Sequence, residues 1–154
     1  MLFVATAQAF DDEMRTRIDV HRGERPAHWT TLEEPIVLDD VLDRRLTSRD
    51  DRPALVVVDC LTLWVSNILL TLPEDADVET IVSERTRALL EVLARHRATP
   101  AIIVTNEVGL GVVPATPLGR RYRDALGRAN QLVAAAADEV ILLVSGIDVP
   151  IKPR

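Results

Sequence analysis

The sequence predicts an α/β fold, a mostly parallel sheet with helices on both faces, and three observations carry that prediction. Unbroken apolar runs recur at residues 2–6, 54–58, 101–105 and 140–144. They are too short for helices and lack the alternation of a half-exposed strand, so they read as buried strands. Between them lie longer segments whose apolar residues repeat every three or four positions, the helical period. The chain has 154 residues, 47% of them hydrophobic, which suits one domain over residues 1–154 built around one core.

The first run ends in a loop at residues 7–9. Asp11 and Asp12 then open a helix, because carboxylates favour its first turn, and it runs to about His21 and stops near Gly23 and Pro26. A loop follows through Trp29 and Glu33-Glu34-Pro35. Residues 37–46 place Leu38, Val41, Leu42 and Leu46 on one helical face. Residues 49–53 are charged, end in proline and read as a loop, and the second strand closes on Asp59. From Leu61 the pattern is helical again, with Leu61, Trp64, Val65, Ile68 and Leu69 on one side. Residues 73–77 turn the chain into a long helix over 78–97, and Pro100 breaks it before the third strand. Residues 106–117 carry Gly109, Gly111, Pro114 and Pro117, a loop with room for a ligand. A helix over 118–137 leads to the fourth strand, and residues 149–152 form a last strand at an edge. Such sheets bind ligands beyond the carboxyl ends of their strands, here Thr6-Ala7, Asp59-Cys60 and Asn106-Glu107.

The formal net charge of -6 argues against a general nucleic-acid binder, whereas local arginine clusters suit a small anionic ligand. The lone Cys60 can form no internal disulfide, and no zinc spacing occurs, which fits a reducing cytoplasm. No export signal and no apolar run long enough to span a bilayer is present.

His21 stands among Arg17, Arg22 and Arg25. A neutral imidazole flanked by permanent cations suits attack on phosphorus, the guanidinium groups holding phosphate oxygens while the ring supplies the nucleophile. The plain alternative is a solvated histidine on a charged helix end. Val56-Val57-Val58-Asp59 resembles a Walker B strand, whose aspartate orients magnesium or water, although the same aspartate would also cap the helix that follows. Glu33 can accept two hydrogen bonds from guanine or bind a ribose hydroxyl pair, or it is simply an exposed loop glutamate. Arg120, Arg121, Arg123 and Arg128, with Asp124, read as a solvated helix face. His96, in the last turn of a helix, and His28, beside Trp29, need no functional explanation.

In order and register from about Leu2 to Lys152, these motifs resemble the bifunctional adenosylcobinamide kinase/adenosylcobinamide-phosphate guanylyltransferases of cobalamin synthesis. The resemblance rests on Ala5-Thr6-Ala7-Gln8, Asp11-Asp12-Glu13-Met14, Arg17-Ile18, His21-Arg22, Arg25-Pro26, Trp29, Glu33, Asp59-Cys60-Leu61-Thr62, Asn67, Thr105-Asn106-Glu107-Val108-Gly109, Arg123-Asp124, Gly127-Arg128, Asn130-Gln131 and Val144-Ser145-Gly146. It implies a P-loop NTPase-like nucleotide-binding domain with two reactions: phosphorylation of adenosylcobinamide, and transfer of GMP from GTP to the resulting phosphate through a GMP-histidine intermediate. The family histidine falls on His21, and the nucleotide contacts fall on Ala5, Thr6, Ala7, Arg22, Gly23, Glu24, Arg25, Glu33 and Asp59. GTP, ATP and magnesium are implied, with no metal ligand assigned, as is a homo-oligomer, trimeric in the family.

Family members open with a strand, a phosphate loop of the Gly-x-x-x-x-Gly-Lys-Ser type and a helix, and no such loop occurs in these residues. The expectation is an N-terminally truncated domain, either from a start assigned too late, which is the favoured reading, or as a true fragment, with the kinase step in doubt, guanylyl transfer weakened and apolar surface uncovered. The alternative function is a noncatalytic nucleotide-binding or assembly subunit.

Overall fold

The computed structural model describes residues 1–48 and 51–153. β1 (Leu2–Ala5) is buried along its whole length. It leads to α1 (Asp12–Gly23), which Asp11 caps by accepting a hydrogen bond from the Met14 amide at 2.7 Å. Asp12 and Glu13 in its first turn and His21 and Arg22 in its last oppose the helix dipole at both ends. No residue of α1 is buried, so its stability comes from these local devices rather than from packing.

Where the sequence suggests only a loop, the chain forms β2 (Thr30–Glu33), pairing parallel with β1 from Leu2↔Thr30 to Ala5↔Glu33. Its Thr-Thr-Leu-Glu sequence has no apolar run because it is an exposed edge strand, held by the ladder to β1 rather than by burial. There follow α2 (Leu38–Thr47), β3 (Val56–Asp59), α3 (Leu61–Thr71), α4 (Val78–Arg95), β4 (Ala101–Val104) and α5 (Pro117–Ala136). Within the loop expected at 49–53, Arg49 and Asp50 lie outside the described residues. The four strands are parallel in the order β2-β1-β3-β4, as the α/β reading requires.

The fourth apolar run departs from expectation. β5 (Val140–Val144) pairs with β6 (Ile147–Lys152) as a separate antiparallel hairpin. The cause is local: Ser145 at φ 53° and Gly146 at φ 79° make a two-residue turn with both central residues left-handed, the geometry that matches strand twist in a hairpin. Lys152 Nζ fastens this hairpin to the carboxyl end of α5 by donating to the Ala134 and Ala135 carbonyls at 3.3 and 3.1 Å.

One core cluster joins alternate residues of the central strands, Leu2, Val4, Val56 and Val58, to Leu38, Leu42 and Leu46 of α2, Trp64 and Ile68 of α3, Val82 and Leu89 of α4 and Leu126 of α5. Each such side chain contributes about 1.5–3 kcal/mol on burial. The opposite face of the sheet is covered unequally. Phe3 is buried beneath Trp29 and Arg25, whereas Ile102 and Val104 on the edge strand β4 are exposed, as are Ile141 and Leu143 on β5 of the separate hairpin.

Candidate active site

The carboxyl ends of β1, β2 and β3 lie side by side, because Ala5 is in register with both Glu33 and Asp59. Against this edge α1 delivers its last turn. The His21 ring meets Phe3 edge-on at 5.9 Å between centroids, and Phe3 stacks on Trp29 at 6.1 Å. His21 Nδ1 lies 3.9 Å from Asp59 Oδ2 and 3.4 Å from Arg25 Nη2. The side chains of His21 and Asp59 are 53% and 27% exposed, so both can be reached by a ligand.

Arg25 lies over the Phe3 ring, its Cζ 4.0 Å from the centroid, a favourable cation–π contact, and donates to Thr31 Oγ1 at 3.4 Å. Burial lowers its guanidinium pKa from the ordinary value, with Asp59 acting to raise it and Arg22 to lower it. Its buried Nε has no hydrogen-bond partner among the described residues. Arg22 pairs with Glu33 across the gap between α1 and β2. His21, Arg22, Arg25, Glu33 and Asp59 are thus gathered at one place from three segments.

The remaining expected residues separate by environment. Ala5 and Thr6 are buried in the wall of the site. The Thr6 hydroxyl donates to the Cys60 carbonyl and accepts from the Cys60 amide, both at 2.8 Å, so it ties strands together. Ala7 is partly exposed just beyond. Gly23 and Glu24 are exposed at the end of α1, and Glu24 closes that helix through its own amide to Val20 and Arg22. Arg17 is occupied by Glu13 at 2.6 Å and stands outside the cluster.

Two plain readings are corrected. Asp59 does not cap α3: the cap residue is Cys60, and no side chain bonds there. Beside Glu33, the Glu34 carboxylate accepts the Ile36 and Val37 amides at 2.8 Å each. The arginines of α5 do not form a merely solvated face either. Arg120 donates to the Pro114 and Ala115 carbonyls at 3.0 and 2.8 Å, and Arg121 to Ala76 at 2.9 Å, bracing the loops before and beside the helix.

A polar lattice also fastens the exit of β4. Thr62 Oγ1 donates to Asn106 Oδ1 at 2.8 Å and accepts from the Asn106 amide at 2.9 Å, while Thr105 and Asn130 bond at 2.7 Å. A concavity of about 400 Å³ nearby, between Glu79, Gly109, Arg123 and Arg128, shares no residue with the His21 cluster. Its arginines are engaged by Asp124 and Gln131, so the chemistry points to the strand ends instead. Among the described residues, no group of three or more His, Cys, Asp or Glu could hold a metal ion, and no helix is long and apolar enough to cross a membrane.

Comparison with known proteins gives the same direction. The family model for cobinamide kinase / cobinamide phosphate guanyltransferase matches residues 1–151. Over 159 aligned residues the chain is 39% identical to the bifunctional adenosylcobalamin biosynthesis protein CobU of Escherichia coli (strain K12), covering 99% of this chain and 86% of that one. It is 42% identical to the protein of the same name from Salmonella typhimurium, with 99% and 86% covered, and 44% identical to the bifunctional adenosylcobalamin biosynthesis protein CobP of Pseudomonas aeruginosa, with 97% and 81% covered. The chain belongs to the cobinamide kinase / cobinamide phosphate guanyltransferase family.

Proposed function

We propose that this member of the family acts in cobalamin biosynthesis by passing GMP from GTP to adenosylcobinamide phosphate through His21. The observation that carries the reading is the convergence of His21, Arg25 and Asp59 within 3.9 Å of the ring nitrogen at the sheet's carboxyl edge. With Nδ1 turned toward Arg25 and Asp59, Nε2 is the nitrogen left to attack. A bond forms from Nε2 to the α-phosphorus while the bond to the β-phosphate oxygen breaks, and pyrophosphate leaves. The ring becomes cationic as it does so, and Asp59 offsets that charge. In the second step a phosphate oxygen of adenosylcobinamide phosphate attacks the same phosphorus, the nitrogen–phosphorus bond breaks, and neutral His21 returns.

Arg22 and Arg25 supply cations for the oxygens that gather charge in both steps. Glu33 accepts from the guanine once Arg22 turns toward phosphate. Ala5, Thr6 and Ala7 form the wall of the nucleotide site, and Gly23 and Glu24 its outer rim. Magnesium takes one or two protein carboxylates and completes its shell with water and phosphate oxygens, so Asp59 fits as its protein ligand, and the ion would neutralise charge on the phosphates. Phosphorylation of adenosylcobinamide by ATP or GTP belongs to the same reading, as does a cytoplasmic homo-oligomer, trimeric by resemblance. Exposed Leu110, Val112 and Val113 offer apolar surface for that assembly.

The test is incubation with magnesium and α-labelled GTP, then a denaturing gel, with His21→Ala alongside. Acid-labile label that disappears in the variant is the expected result. A folded wild-type chain that takes no label favours the noncatalytic subunit instead.

A further inference from the structure

Asn67 lies in the middle of α3 among Trp64, Val65 and Ile68, and it is 4% exposed. An amide in such a place costs free energy unless it is hydrogen-bonded. Its partners are not in its own helix. Asn67 Nδ2 donates to the Thr6 carbonyl at 2.7 Å and to the Pro35 carbonyl at 3.2 Å. The first carbonyl belongs to the segment leaving β1, the second to the segment leaving β2 two residues after Glu33. One side chain therefore spans the two walls of the candidate site from below.

Both walls are tied elsewhere as well, so the crossbar acts on rigid pieces. On the first wall the Thr6 amide donates to the Asp59 carbonyl at 3.0 Å, and the Thr6 hydroxyl bonds to Cys60. On the second, the Trp64 indole donates to the Ile36 carbonyl at 2.9 Å. The walls are also joined to each other by the β1–β2 ladder, which ends with the Glu34 amide on the Ala5 carbonyl at 2.9 Å, and Asn67 bonds the next residue on each side, Thr6 and Pro35. A leucine would fill the space of Asn67 and keep the apolar face of α3 without burying an amide. What leucine cannot do is hold the Thr6 and Pro35 carbonyls at a fixed separation.

We infer that Asn67 is a positioning residue that carries the clamp between the two walls one residue past the end of the β1–β2 ladder, holding Thr6-Ala7 against the segment that follows Glu33, and thereby makes the site select guanine. The inference rests on the reading of Glu33 as the guanine acceptor. A carboxylate takes two hydrogen bonds from guanine, at N1 and the exocyclic amine, but only the N1 bond from hypoxanthine, which lacks that amine. If the crossbar fixes this two-point contact, its loss removes the advantage of the second bond and leaves the chemistry at His21 in place.

The test measures initial rates of His21 labelling with α-labelled GTP and with α-labelled ITP over a range of concentrations. Wild type, Asn67→Leu and Asn67→Ala are compared, with Leu89→Ala as a control that destabilises the remote core without touching either wall. The expected result is a KM for GTP raised about tenfold in the Asn67 variants, the worth of one hydrogen bond. The KM for ITP and both maximal rates stay near wild type, and Leu89→Ala moves neither KM. Should Asn67→Leu fail to fold, Asn67→Ala carries the comparison. A folded Asn67 variant with unchanged KM values, or with both KM values raised equally, overturns the inference. A wild-type chain that takes label from neither nucleotide overturns the guanylyl-transfer reading first, and the inference falls with it.

Discussion

The platform formed by β1, β3 and α3 and the last turn of α1 face each other across the candidate site, yet they are built on opposite terms. In the platform Thr6 and Asn67 are buried, the Thr6 hydroxyl both donating and accepting and the Asn67 Nδ2 donating to two carbonyls, and Trp64 is 0% exposed with its indole nitrogen bonded. In α1 no residue is buried, and His21 is held only by an edge contact to Phe3, a long contact to Arg25 and a 3.9 Å approach to Asp59. The difference separates two kinds of requirement. Fixed geometry needs saturated, buried partners, whereas a nucleophile that must bond to phosphorus and release it needs access. Stability therefore resides in the platform, and the chemistry proposed for His21 at the end of an exposed helix.

The comparison breaks most visibly if the platform proves dispensable. Trp64→Ala removes a fully buried indole and leaves the Ile36 carbonyl only the longer 3.4 Å bond from Arg85, and a urea melt is expected to show a loss of about 3–5 kcal/mol. Next in size, Arg25→Ala should slow His21 labelling about 100-fold, as for a single donor lost from a site of developing charge, and labelling kinetics on the folded variant measure it. Asp11→Ala, which deletes the cap of α1, is expected to cost about 1 kcal/mol and to raise hydrogen exchange in α1 while leaving the core amides protected.

A smaller effect sharpens the contrast away from the site, where His96 and Arg95 on the α4 side both bond Asp43 of α2 at 2.8 Å. The hydrogen bond from His96 holds the Asp43 carboxyl below its ordinary value, against a weaker opposing effect of desolvation. A carboxylate lowered on folding adds stability that is complete above its unfolded pKa, about 4, and is lost as pH falls through the lowered value. The melting temperatures of wild type and Asp43→Asn should therefore differ above about pH 4 and converge in more acid solution. The smallest effect is expected at the proposed nucleophile: His21→Ala should leave stability within about 0.5 kcal/mol of wild type, because its side chain is half exposed and gives up only the edge contact to Phe3 and the long contacts to Arg25 and Asp59.

Much of this was legible in the chain. The apolar runs that became β1 and β3 announce themselves because they are the interior strands of the parallel sheet, and the run of β4 is equally plain although it forms an edge strand with only Ile103 partly buried. The edge strand β2 does not, since only Leu32 of Thr-Thr-Leu-Glu is partly buried, although paired β-branched threonines were a signal. The hairpin of β5 and β6 hides behind an apolar run like the others, and Ser145-Gly146 between two such runs was the clue to its antiparallel course. Of the site, His21, Arg22, Arg25, Glu33 and Asp59 stand out by residue type and are gathered by the fold. Asn67 and Trp64 are invisible in these roles because their partners are main-chain carbonyls 28 to 61 residues away, and spacing within a helix carries no information about them. The same blindness made Arg120 and Arg121 look like solvated surface.

The most direct test of the division between platform and nucleophile is the mass of the intact chain after incubation with GTP and magnesium, followed by peptide mapping under conditions that preserve a nitrogen–phosphorus bond. The account predicts a gain of one GMP, confined to the peptide that contains His21. A GMP found on His28 or His96, or a folded chain whose mass does not change, would contradict it.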